Sequence, residues 1–190
     1  SVTRLHAYQQ AMGDITWAAD FSRQRIDIAS FAVKDPVAGM VTGSATVDLT
    51  KRGLTAFRAR LHRVSLPGVL EKAGLADAWV RLFFDGDVRG TASFDPLVIA
   101  FETDGIVREF ETLDRSHRRS DAVTVLSLEP TGVRGSARIT DREVEILHVD
   151  VSRGRSVVAA EGSLSFDVAT GINLRARSEH VNMSDVGPIV

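Results

Sequence analysis

Apolar and polar residues alternate along most of this chain. In four segments the alternation follows one phrase: a glycine, a hydroxyl residue, an apolar residue, a polar residue and an apolar residue. These segments are GSATVD at Gly43–Asp48, GTASFD at Gly90–Asp95, GSARIT at Gly135–Thr140 and GSLSFD at Gly162–Asp167. Because successive side chains of a β-strand point to opposite faces, each phrase predicts a strand with one apolar and one polar face.

The alternation continues between the phrases, for example at Ile15–Phe21, Phe57–Leu61 and Leu147–Val151. Turn signals separate these segments, among them KDPVAG at Lys34–Gly39 and FDG at Phe84–Gly86. The pattern therefore predicts an all-β fold of about ten to twelve short antiparallel strands that follow one another as a meander.

Residues 66–73 depart from the strand pattern. Their apolar side chains recur at i, i+3, i+4 and i+7, at Leu66, Val69, Leu70 and Ala73. Ser65 is a suitable N-cap and Gly74 follows the last of these residues, so one short amphipathic α-helix is expected near residues 66–73. The charge-dense segment Arg108–Asp121 instead predicts a strand end followed by a solvated loop.

The first and last phrases agree beyond their own length. The first phrase is followed by Phe57-Arg58-Ala59-Arg60 and the last phrase by Leu174-Arg175-Ala176-Arg177. In each of these segments both arginines lie at positions expected on the polar face. The final residues, MSDVGPIV, are similar to the start of the expected helix. We therefore expect residues 1–190 to be a single segment of a longer repetitive protein, with an incomplete repeat at its C-terminal end.

Composition narrows the functions. The formal net charge of −2 provides no basic field, so nucleic acid is not an expected partner. The chain has no cysteine, and its five histidines do not stand at metal-ligand spacing. Asp114–His117 brings together an acid, a hydroxyl and an imidazole, but in an expected loop. The basic run Arg115–Arg119 is interpreted as a solvated, salt-bridged loop rather than a headgroup site. We predict no catalysis, no metal and no cofactor.

An apolar sheet face must be covered, and a single short helix cannot cover a dozen strands. The sheet could fold over itself into a sandwich or barrel with a protein-filled core. Alternatively, it could curl into an open trough whose apolar inside is completed by acyl chains. An enzyme acting on polysaccharide is a third possibility, but the acids stand mainly in turns and on the polar parity, where they would not converge in a cleft.

The hairpins at Asp27–Leu70 and Leu147–Val190 resemble the repeat units of TamB and AsmA-type envelope proteins of Gram-negative bacteria, and GDVRGTASFDPL at Gly86–Leu97 has the same rhythm. The resemblance implies a long twisted antiparallel sheet of repeated hairpins, curled into an open groove. It also implies a periplasmic location, with an inner-membrane anchor outside this chain. The function it implies is conduction of phospholipid between the inner and outer membranes in support of outer-membrane biogenesis. Other parts of the protein would then bind a β-barrel partner in the outer membrane.

Under this hypothesis the partners are phospholipid acyl chains and the site consists of residues on the apolar parity. The expected groove residues are Val41, Ala45, Val47, Leu49, Phe57, Ala59, Val88, Ala92, Phe94, Leu97, Ile99, Phe101, Ala137, Ile139, Leu164, Phe166, Val168 and Leu174. The alternative is a structural or binding module of an envelope or surface protein, a β-sandwich or solenoid in which the same residues form a core filled by protein.

Overall fold

The computed structural model describes residues 6–7, 10–11, 14–65, 67–68, 80–113, 124–128, 130–165, 172–182 and 185. These residues form an all-β structure, as predicted. The strands are β1 (His6–Ala7), β2 (Gln10–Ala11), β3 (Asp14–Phe21), β4 (Arg25–Asp35), β5 (Gly39–Asp48), β6 (Leu54–Ser65), β7 (Val80–Phe94), β8 (Leu97–Leu113), β9 (Thr124–Leu128), β10 (Thr131–Thr140), β11 (Glu143–Arg153), β12 (Ser156–Ser165) and β13 (Ile172–His180).

One open antiparallel sheet contains β3 to β13, and β1 pairs with β2 in a separate two-stranded ribbon. The spatial order of the sheet is the chain order, with β3 and β13 at its two edges. β9 and β10 pair with successive parts of β8, at Phe110–Leu113 and Val98–Val107. The sheet is therefore a meander of hairpins, consistent with the expected curled groove.

Two of the predicted turns have different outcomes. Residues 36–38 form the turn between β4 and β5, where Asp35 Oδ1 accepts hydrogen bonds from the Val37 and Ala38 amides at 2.8 and 2.7 Å. The turn predicted at Phe84–Gly86 is wrong, because these residues lie inside β7. Within β7 the carboxylate of Asp85 accepts a hydrogen bond from the Arg108 side chain of the neighbouring strand at 2.8 Å. This bond gives the polar side chain a partner inside the sheet.

Of the helix expected near residues 66–73, Pro67 and Gly68 are helical, and Leu66 and residues 69–73 lie outside the described residues. The Gly68 amide donates a hydrogen bond to Ser65 Oγ at 3.2 Å, which is the N-capping role predicted for Ser65. The first part of the segment Arg108–Asp121 is a strand end, as predicted, since residues 108–113 are the last residues of β8. Residues 114–121 lie outside the described residues.

Bulges interrupt the regular pairing of several strands. The β4–β5 register shifts between Ile28 and Phe31, and the β11–β12 register shifts between Ile146 and Val149. A further shift follows Leu61 in β6. Because a bulge bends its strand and increases the local twist, these positions curve the sheet.

The phrase glycines allow neighbouring backbones to approach closely. A Cβ atom at Gly90 would overlap the Ala100 carbonyl oxygen and lie 2.8 Å from Phe101 Cα. A Cβ atom at Gly132 would instead meet the movable Ser152 hydroxyl at 2.6 Å. Side-chain rotation could therefore accommodate Gly132→Ala, whereas the backbone would have to shift for Gly90→Ala.

We expect Gly90→Ala to lower the free energy of unfolding by about 1–3 kcal/mol, the usual cost of overpacking. Gly132→Ala is the matched control and should have a much smaller effect. Urea denaturation followed by circular dichroism measures both. Equal stabilities for the two variants would contradict the close approach at Gly90.

Candidate binding surface

The pairing between neighbouring strands places the alternating apolar residues of ten strands side by side, so that they form continuous rows across the sheet. Residues paired directly across neighbouring strands lie on the same face of the sheet, so the pairings define each row. The first row is Trp17, Phe31, Gly43, Ala59, Val88, Thr103, Gly135, Val149, Ala160 and Ala176. The second row is Ala19, Ile28, Ala45, Phe57, Gly90, Phe101, Ala137, Ile146, Gly162 and Leu174.

Two further rows flank these on either side. One is Phe21, Ile26, Val47, Thr55, Ala92, Ile99, Ile139, Val144, Leu164 and Ile172. The other is Ile15, Val33, Val41, Leu61, Gly86, Gly105, Val133, Val151 and Val158. The four rows contain no charged residue, and their only hydroxyl residues are Thr55 and Thr103. We call these rows together the apolar face.

Most of the expected groove residues lie in these rows. They are Val41, Ala45, Val47, Phe57, Ala59, Val88, Ala92, Ile99, Phe101, Ala137, Ile139, Leu164 and Leu174, with Leu164 described only by its backbone position. Phe94 and Leu97 pair with each other at the end of the β7–β8 hairpin, on the same parity. Phe166 and Val168 lie outside the described residues.

Leu49 is placed differently from the expectation. It begins a 3₁₀ turn at Leu49–Lys51 and is not part of a strand. The turn starts there because Asp48 Oδ1 accepts hydrogen bonds from the Thr50 amide at 2.9 Å and from the Thr50 hydroxyl at 2.6 Å. Leu49 is therefore not one of the row residues. It is 46% exposed.

Other residues of the apolar face were missed because a bulge resets the parity of a strand. The sequence alternation groups Leu147 with Val149, but the β11 register puts Ile146 and Val149 into the rows and leaves Leu147 in the bulge. The same effect in β4 brings Ile28 and Phe31 into neighbouring rows. The alternation along a single strand does not reveal such a shift, because the shift is set by pairing with the neighbouring strand.

Protein does not cover the apolar face within the part of the chain that the structure describes. Ala92 is the only buried apolar residue among those whose burial the structure describes, and interior row residues such as Phe57 and Phe101 are half-buried. Phe94 at a hairpin end and Leu174 in the edge strand are 69% and 51% exposed. The solvent-accessible surface is 13216 Å². A compact monomer of 20.6 kDa would expose about 8,900 Å². The described sheet thus has no second apolar layer packed on it.

Two elongated depressions of about 800 and 1210 Å³ cross the middle of the strands. Both are lined by Arg58, Arg89 and Glu102 of the polar parity, and the larger is also lined by Asp87 and Arg134. Charged side chains thus border these hollows, which are not part of the apolar face. Both depressions run across the strands, parallel to the rows.

The opposite parity forms a polar face with ion pairs between neighbouring strands. Arg60 Nε lies 2.9 Å from Asp87 Oδ1, and Arg89 Nη2 lies 2.6 Å from Glu102 Oε2. The hydrogen bond that Arg60 donates lowers the pKa of Asp87 and raises the pKa of Arg60 itself. These pairs are exposed, so each contributes little stability, but together they favour one register.

Asp85 lies at the centre of a cluster of polar groups from β6, β7 and β8. Its carboxylate accepts hydrogen bonds from the Arg63 amide at 3.0 Å and Arg108 Nε at 2.8 Å, and it lies 2.9 Å from His62 Nδ1. Arg63 has a φ of 47° at the bulge of β6. Partial burial raises the pKa of Asp85, but the hydrogen bonds from Arg63 and Arg108 outweigh it, and the pKa lies below its usual value. This cluster fixes the bulge.

Asp85→Asn should therefore destabilise the fold at pH 7 by about 1–2 kcal/mol, because it removes the charge from these hydrogen bonds. A carboxylate whose pKa is lowered by folding stabilises the protein above its unfolded pKa of about 4. That stability is lost as the pH falls through the folded value. The difference between the wild type and the variant should accordingly shrink below about pH 4.

Urea denaturation at several pH values measures this difference. Asp87→Asn, on the exposed Arg60 pair, is the control and should change stability less at pH 7. A difference between Asp85→Asn and the wild type that stays constant from pH 7 to pH 3 would contradict the role of the Asp85 charge.

His62 and His148 each contact one carboxylate, and no group of three or more potential metal ligands occurs within the described ranges. Asp114–His117 and Arg115–Arg119 lie outside these ranges. The helical residues that the structure describes include no helix with the length and apolarity needed to cross a bilayer.

Comparison with known proteins gives no relative: no family model, no curated protein and no solved structure matches the chain. A functional assignment must therefore be built on the apolar face and its geometry.

Proposed function

We propose that this chain is a noncatalytic segment of a lipid-conducting protein whose apolar face binds the acyl chains of phospholipid. The observation that supports the proposal is the set of four uncharged rows, which cross the sheet and which the described protein covers only in part. A ligand for such a face must itself be long and apolar. Acyl chains have these properties and need no specific polar contact.

The dimensions support this assignment. Ten strands at the usual spacing of about 4.8 Å give rows about 43 Å long from β3 to β13. Each leaflet contributes about half of a hydrocarbon core about 30 Å thick, so an acyl chain at the length it has in a bilayer needs about 15 Å of row. More than one acyl chain therefore fits end to end along the face.

The energetics favour binding without hindering movement. Each methylene group transferred from water to an apolar surface contributes about 0.8 kcal/mol, so a whole acyl chain is held strongly by area alone. Because the rows contain no charge and mix glycine and alanine with larger residues, neighbouring positions along a row offer similar contacts. A chain can then shift along the rows without breaking hydrogen bonds or ion pairs.

The resemblance of the hairpins to TamB and AsmA-type proteins supports the wider setting. We place the segment in the periplasm of a Gram-negative bacterium, where it would conduct phospholipid between the inner and outer membranes in support of outer-membrane biogenesis. An inner-membrane anchor and an outer-membrane β-barrel partner would involve parts of the protein beyond this chain.

Mass spectrometry of lipid bound to the purified protein tests the proposal. The wild type should carry phospholipid, and Phe57→Asp should lose most of it, because an acidic side chain in the second row must be desolvated beside acyl chains. Ala56→Asp is the matched control, since it introduces the same charge one residue away on the polar face, where residue 56 is exposed. It should retain the lipid.

Circular dichroism of both variants separates loss of lipid from loss of fold. Equal lipid content in Phe57→Asp and Ala56→Asp, with both folded, would show that the apolar face is not the binding surface. A wild type purified without lipid, and unable to take up lipid from phosphatidylethanolamine vesicles, would instead favour a module whose face is covered by protein.

A further inference from the structure

One row of the polar face lines both of the depressions that cross the sheet. It runs through β5, β6, β7, β8 and β10, all of them interior strands, and each of its residues is paired directly with the next. The members of this shared row are Ser44, Arg58, Arg89, Glu102 and Ser136. A ligand in either depression would therefore contact these side chains.

The carboxylates that line the depressions are already engaged by other side chains. In the shared row, Arg89 Nε and Nη2 donate hydrogen bonds to Glu102 Oε2 at 2.8 and 2.6 Å. The remaining acids of the lining have contacts of the same kind, in the pairs Arg60–Asp87, Arg134–Asp104, Arg25–Asp27 and His148–Asp150. The negative charges in the depressions are thus offset within the protein.

Arg58 differs from the other arginines of the lining. Its guanidinium forms no ion pair or hydrogen bond with another described residue, and the residues opposite it on the two flanking strands are Ser44 and Arg89. Like charges directly opposite each other are unfavourable in a sheet. The Ser44 hydroxyl also forms no hydrogen bond within the described part of the chain. One end of the shared row therefore combines an uncompensated positive charge with an unused hydroxyl.

These donors have the chemistry that recognises phosphate. A guanidinium binds phosphate through charge-assisted hydrogen bonds, and a hydroxyl donates one more. Arg89 retains further N–H groups, because its bonds to Glu102 use only Nε and Nη2. A phosphate has several acceptor oxygens, so it can bond to more than one of these groups. Its negative charge would also relieve the repulsion between Arg58 and Arg89.

We propose that Ser44, Arg58 and Arg89 form a binding site for the phosphate group of a ligand. The smaller depression has a volume of about 800 Å³, which is within the usual size of a small-molecule site, so it can accommodate a phosphate ester as well as the free ion. The site lies on the opposite face from the four apolar rows, and the inference does not depend on the binding of acyl chains.

Titration of the ¹⁵N-labelled protein with inorganic phosphate at constant ionic strength tests the site, with the Nε–Hε signal of Arg89 as the reporter in NMR. Arg58→Gln should weaken phosphate binding about tenfold, because charge-assisted hydrogen bonds are lost. Arg138→Gln is the matched control. Arg138 is also an exposed polar-face arginine without an ion pair to a described residue, but it lines neither depression. This variant should bind like the wild type.

A pair of serine variants tests the same site without changing any charge, and it serves if Arg58→Gln does not fold. Ser44 and Ser136 occupy the two ends of the shared row, but Ser44 lies beside Arg58 and Ser136 beside Glu102. Ser44→Ala should weaken phosphate binding about fivefold, through loss of one neutral hydrogen bond. Ser136→Ala should leave it unchanged, since the neighbouring carboxylate disfavours an anion at that end.

A parallel titration with glycerol 3-phosphate distinguishes the sources of the phosphate group. Tighter binding of this ester than of inorganic phosphate assigns the site to a phosphate ester such as a lipid headgroup, and the reverse order assigns it to the free ion. Equal weakening by Arg58→Gln and Arg138→Gln, or by Ser44→Ala and Ser136→Ala, would overturn the proposal. So would a wild type in which neither ligand shifts the Arg89 signal.

Discussion

Cross-strand register is the constraint on which the rest of this structure depends. The period of side-chain direction in a strand is two residues, so a slip of one residue in any hairpin would move its apolar residues to the opposite face. In this sheet ten strands keep their apolar residues in common rows, and the same pairing places arginines beside carboxylates on the polar face. A single register thus aligns the apolar residues on one face and pairs opposite charges on the other.

The chain has 44% hydrophobic residues, but few of those whose burial the structure describes are buried. In a compact domain the large apolar residues would be sealed by a second layer. Here β-pairing and contacts within the face provide the described packing, and Ala92 alone is buried among the apolar residues whose burial the structure describes. The exposed area is therefore available to an apolar ligand, which is the physical basis of the lipid proposal.

Bulges allow this long sheet to curve. The shifts in β4 and β11 occur opposite the phrase glycines or beside them, at Gly43 and Gly162. Since glycine lets neighbouring backbones come close and a bulge bends the strand that carries it, the two features act together. The Asp85 cluster holds the bulge of β6 from the polar side. Curvature and register are thus fixed by a few local interactions rather than by a packed core.

The sequence by itself determined the all-β class, the antiparallel meander and the two faces, because alternation is a local property and neighbouring hairpins pair with each other. Most of the expected groove residues, such as Ala45 and Phe101, also lie in the rows. Only the tertiary structure decided that Phe84–Gly86 continues a strand and that Ile146, rather than Leu147, joins the rows. Both outcomes depend on partners in neighbouring strands, which supply hydrogen bonds to Asp85 and set the bulge in β11, and alternation along a single strand does not encode them.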